Sequence, residues 1–114
     1  MNGKPEKNLK VRNKMKTTFE NNKLILYPVG RIDTVNASEI EKEIMSAVNE
    51  KESSCNGIII DMKELSYISS AGLRVLLRLR KSVAVLVQLI NVSDELYEIF
   101  ELTGFSEILF IKKG

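Results

Sequence analysis

Gly57-Ile58-Ile59-Ile60-Asp61-Met62-Lys63-Glu64-Leu65-Ser66-Tyr67-Ile68-Ser69-Ser70-Ala71-Gly72-Leu73 is the stretch whose reading decides the fold. Three consecutive isoleucines bounded by Gly and Asp predict a short strand buried on both faces. A polar loop follows, and two hydroxyl residues then open a helical segment over Ala71 to Lys81, with Leu73, Leu76 and Leu77 on one side. A buried strand that feeds a helix is the unit from which parallel α/β sheets are built.

The same grammar repeats on either side. Met15 to Glu20 and Lys23 to Val29 are apolar runs joined by Asn21-Asn22, a dipeptide suited to the positive φ of a tight hairpin. Pro28 sits near the end of the second run, Gly30 closes it, and Arg31 to Val35 is expected to be a loop. Asn36 with Glu39 reads as a capping box, opening a helix whose apolar stripe is Ile40, Ile44, Ala47 and Val48. Downstream, Val83 to Ile90 is expected to be a second buried strand. Ser93 caps a third helix holding Leu96, Ile99, Phe100 and Leu102, with Gly104 as its C′ residue and Phe105 folding back on it. Ile108 to Ile111 makes a last strand. The expected fold is a single α/β domain, with a small, mixed, mostly parallel sheet of about five strands packed against three or more helices.

Composition narrows the chemistry. The chain has 114 residues, which suits one domain, and 44% of them are apolar, enough for a core without staples. With no His there is no Ser-His-Asp or Cys-His nucleophile system and no His-ligated zinc. Lone Cys55 makes no internal disulfide or thiolate metal site, and a reduced, cytoplasmic compartment is expected. Residues 1–16 carry six basic side chains and one acid, leaving eleven basic and fourteen acidic groups in the rest. The basic charge therefore belongs to a tail. Residues 1–14 are expected to be a flexible basic extension and residues 15–114 the folded domain. No direct nucleic-acid binding and no membrane insertion are expected, because neither a basic folded surface nor a long apolar segment is evident.

Catalytic readings find little support. Asp33 and Asp61 offer a carboxylate pair at strand ends, but such residues are more often turn or cap residues. Neither GxGxxG nor GxxxxGK is present, so the usual signatures of a dinucleotide or NTP site are missing, and no cofactor or metal is expected. What remains is Ser69-Ser70-Ala71-Gly72. One serine reads as an N-cap; Gly72 is a poor helix residue, and its place here would leave the helix entrance open to another protein.

Gly30-Arg31-Ile32-Asp33, then Ile58-Ile59-Ile60-Asp61, then Tyr67-Ile68-Ser69-Ser70-Ala71-Gly72-Leu73-Arg74, and finally Leu102-Thr103-Gly104-Phe105, resemble the STAS domain of bacterial anti-sigma factor antagonists. The resemblance spans Met15 to Ile111. It implies a partner-switching regulator, not an enzyme: a monomer that binds an anti-sigma factor doubling as a serine protein kinase, is released on serine phosphorylation, and is restored by a serine phosphatase. Aligned on Gly72-Leu73, the phosphoacceptor falls on Ser70, with Ser69 the alternative because it stands where the family usually has Asp. Ala71 stands where relatives often carry Ser or Thr, and the connection from Lys81 to Val83 is shorter than usual. The partner-binding face implied comprises Asp33, Ser69, Ser70, Gly72, Arg74 and Arg78, the last two forming a basic stripe with Lys81. The alternatives are a STAS subunit of a membrane lipid- or anion-transport assembly and a weak nucleotide-binding domain.

Overall fold

The computed structural model describes residues 15–114; the extension expected over residues 1–14 lies outside them. Strands β1 (Lys16–Glu20) and β2 (Lys23–Tyr27) form the expected hairpin, with Asn21 and Asn22 at φ of 54° and 62°. Positive φ at both central residues gives the tight turn the twist that flanking strands need. β3 (Gly30–Ile32), α1 (Ala37–Glu50), β4 (Gly57–Asp61), β5 (Leu65–Ile68), α2 (Ser70–Ser82), β6 (Val87–Val92), α3 (Asp94–Leu102), a 3₁₀ turn (Phe105–Glu107) and β7 (Phe110–Lys113) follow.

The main sheet runs β1-β2-β4-β6-β7; only the β1–β2 pair is antiparallel. Leu24 and Leu26, Ile58 and Ile60, and Val87 and Leu89 alternate inward along three adjacent strands. They meet Ile44 and Val48 of α1, Val75, Leu76 and Leu79 of α2, and Leu96 and Phe100 of α3 in one core. Burial of such side chains, at about 25 cal/mol per Å² of apolar surface, is what holds the layers together.

The structure corrects the sequence reading at several points. β4 is not buried equally on both faces, because Ile59 is only partly covered where Ile58 and Ile60 are fully so. Val83 to Leu86 is no strand: α2 runs on to Ser82, and these residues carry the chain back before Ile58 N–H donates to the Leu86 carbonyl (2.9 Å). The last strand likewise starts at Phe110, after Ile108 and Leu109 have closed the 3₁₀ turn onto the Phe105 carbonyl. Gly104, at φ of 82°, ends α3 as expected, and Phe105 packs half-buried against the core.

The largest difference is a second sheet. Arg31 and Ile32, read as loop, belong to β3, which pairs in parallel with β5. Each of these strands is short and shows no simple alternation. Ile32, Leu65 and Ile68 face the core, while Arg31, Ser66 and Tyr67 are exposed. The Ser66 hydroxyl donates to the Gly30 carbonyl at 2.8 Å, tying the ribbon edge to edge.

Candidate functional site

The ribbon brings the two halves of the candidate site together. Ser69 N–H donates to the Ile32 carbonyl (2.9 Å), so the start of α2 is bonded directly to the residue preceding Asp33. Asp33 and the Ser69-Ser70 pair thus share one end of the ribbon.

The two serines differ in what their hydroxyls do. Ser69 is the N-cap of α2: its backbone is extended and its half-buried Oγ accepts from Gly72 N–H at 3.4 Å. Ser70 is the first helical residue, is exposed, and its hydroxyl makes no hydrogen bond among the described residues. One hydroxyl is engaged in holding the helix, the other is presented to solvent.

Gly72 has a packing role that its sequence context does not show. It is buried, and a Cβ there would lie 2.6 Å from Ile68 Cγ1 and 2.9 Å from Ile32 Cγ2. Glycine at this position lets α2 lie against the β3–β5 ribbon.

Asp33 organises its own loop. Its carboxylate accepts from Val35 N–H (3.0 Å) and Asn36 N–H (3.2 Å) and pairs with Arg31 Nε at 3.0 Å. Asn36 in turn accepts from Asp33 N–H (2.8 Å) and donates to the Arg31 carbonyl (2.8 Å), so the capping box expected with Glu39 does not form. The side chain that would have capped α1 is used to brace the loop before it. Arg31 also lies over the Tyr67 ring, 5.0 Å from its centroid. The Asn36 N–H above all, and then the Val35 N–H and the Arg31 guanidinium, hold the Asp33 carboxyl below its usual range against a smaller opposing effect of burial. A depressed folded-state pKa stabilises the fold above the unfolded value of about 4, and that contribution disappears as pH falls through the folded value. Asp33→Ala should therefore lower the thermal midpoint at pH 7, with a smaller difference from the parent at pH 3. Equal gaps at both pH values would deny the carboxylate that role.

Asp61 is occupied elsewhere: it accepts from Lys63 N–H (3.0 Å) and Asn91 Nδ2 (3.1 Å) at the end of β4. The two aspartates act as separate local braces. Cys55 donates its thiol to the Gly57 carbonyl at the opposite end of β4.

The basic stripe on α2 is split. Arg78 makes a two-pronged pair with Glu41 of α1 (2.7 and 2.8 Å), which lowers the Glu41 pKa and raises that of Arg78. Arg74 is exposed and makes no ion pair among the described residues. The sequence reading missed the Arg31–Tyr67 stack and Glu41; an acid on α1 facing a basic helix was the only available signal. Among the described residues no cluster of three acidic, His or Cys side chains is placed to hold a metal, and no helix is long and apolar enough to cross a membrane.

Comparison with known proteins agrees with this fold. The profile of the STAS domain family matches residues 13–113. The anti-sigma-B factor antagonist of Listeria monocytogenes is 39% identical over 95 residues, 76% of each chain. Among solved structures, the phosphorylated form of the Bacillus cell fate determinant SpoIIAA has a TM-score of 0.60 at 21% identity, over 85% of this chain and 89% of that one. A sulfate transporter family protein from Wolinella succinogenes has a TM-score of 0.69 at 21% identity, over 83% and 80%. At that identity the two structures speak for the fold alone, whereas the sequence match is closer in kind. With its α/β fold, its α2 entrance and these relatives, the chain belongs to the STAS domain family, among the anti-sigma factor antagonists.

Proposed function

We propose that this protein is a phosphorylation-controlled anti-sigma factor antagonist whose acceptor is Ser70. The observation that carries the reading is the division of labour at the start of α2: Ser69 caps the helix, and Ser70 offers an exposed, unengaged hydroxyl beside the Asp33 loop. The unmodified protein binds an anti-sigma factor that is also a serine protein kinase, through Ser69, Ser70, the Asp33 loop and the exposed flank of α2 at Arg74 and Arg78. The γ-phosphoryl group of ATP held by that partner passes to Ser70 Oγ. ADP leaves, and the hydroxyl proton goes to a base of the partner. A serine phosphatase reverses the modification by hydrolysis to inorganic phosphate. The chain itself is a substrate, acting in the cytoplasm and monomeric when free, with residues 15–114 as the working unit.

A phosphate adds about −1.5 to −2 charges and three acceptor oxygens. At the first turn of a helix it causes no internal conflict, since the N-terminal end favours negative charge, but it obstructs a partner packed on that surface. Release then needs no refolding of the domain. Incubation with the cognate kinase and ATP, followed by mass spectrometry, should place a single phosphate on Ser70. Phosphate on Ser69 would move the acceptor by one residue, and modification of neither would overturn the switch. The alternative is a structural STAS subunit of a membrane lipid- or anion-transport assembly. Co-purification with a transporter instead of an ATP-binding kinase would select it.

A further inference from the structure

Four arginines lie on the ribbon and α2, and two are already committed. Arg31 is paired with Asp33 and stacked on Tyr67. Arg78 is held by Glu41 through two hydrogen bonds. Arg80 is the third, ten residues beyond Ser70 in the last turn of α2. Arg74 is the fourth, exposed on α2, a helix whose sequence Ser70 to Ser82 contains no acidic residue to compete for it. It stands four residues after Ser70. On a helix that spacing puts two side chains on one face, about 5–6 Å apart at Cβ, and an anion N-terminal to the cation is the better orientation.

We propose that Arg74 is a built-in clamp for the Ser70 phosphate: once the group is attached, the guanidinium folds back one turn and holds it by charge-assisted hydrogen bonds. This deepens the switch reading and rests on Ser70 being the modified residue. A guanidinium matches phosphate oxygens in a two-pronged geometry. The modified surface then presents a fixed phosphate against α2, and a phosphatase must open that pair before hydrolysis.

The test installs phosphoserine at position 70 of the full chain by genetic encoding, without any kinase, and follows the phosphate by ³¹P NMR titration at low salt. In the parent the second ionisation should fall below the usual value of about 6. Arg74→Gln should raise it by roughly 0.2–0.4 pH units, Arg74→Lys by less, and Arg78→Gln should leave it where it was. The gap should close in 1 M salt, where charges are screened within about 3 Å. Identical titrations of the parent and Arg74→Gln would overturn the clamp, as would an equal shift from Arg78→Gln. Because the phosphate is placed without a kinase, a failure of the kinase to modify Ser70 would instead strike the acceptor assignment.

Discussion

Ser70→Ala should remain bound to the kinase partner in the presence of ATP, under conditions that release the parent protein. The substitution removes the only exposed hydroxyl of the Ser69-Ser70 pair and nothing that the fold uses, so thermal stability should stay within about 0.5 kcal/mol of the parent. Ser69→Ala should behave in the opposite way. It deletes the cap accepting from Gly72 N–H and should cost about 1 kcal/mol while leaving phosphorylation of Ser70 intact. Ser70→Asp should bind the partner at least about tenfold more weakly, a loss of roughly 1.4 kcal/mol, because a charge replaces a neutral hydroxyl in the contact. True phosphate should act more strongly still, carrying more charge than one carboxylate. Affinity by calorimetry and stability by thermal melts separate these effects. Release of Ser70→Ala by ATP would remove Ser70 from the switch.

Gly72→Ala should be the most damaging small substitution at the site. An added methyl would approach Ile68 Cγ1 and Ile32 Cγ2 to well inside contact distance, and both isoleucines are 1% exposed and β-branched, with no room to turn aside. Alanine is favoured over glycine in a helix by up to about 1 kcal/mol, yet overpacking of a closed core typically costs about 1–3 kcal/mol beyond what relaxation absorbs. A net fall in melting temperature of roughly 5–15 °C is expected. Ile68→Ala removes the nearest atom, so the double variant should lose less than the two single losses combined. A Gly72→Ala protein as stable as the parent would show that α2 can lift away from the ribbon.

Much of this architecture was legible because its signals were local. Asn21-Asn22 announced the hairpin, Gly57 to Asp61 the central strand, and Ser93 with Gly104 the limits of α3. The β3–β5 ribbon was not, for a physical reason. A three-residue strand and a four-residue strand, each exposing adjacent residues, carry no period, and their pairing joins positions more than thirty residues apart. That one omission propagated. Without the ribbon, Gly72 had no neighbour to explain it, and Arg31 was loop. Asn36 misled in a similar way, since its side chain had two uses and the loop before α1 took it. The serines were singled out from sequence, but only the backbone conformation at Ser69 assigns them different tasks.

The hydrogen bond from Ser69 to the Ile32 carbonyl has a consequence in time. Many regulatory proteins relay a signal by shifting between two shapes, and their response is limited by microsecond-to-second exchange. Here the loop a partner would grip and the hydroxyl a kinase would modify are separated by a single backbone contact. No relay lies between them. For the function proposed, the tempo is set by how long the partner stays and how fast the phosphate is added or removed, with no internal clock of the domain's own.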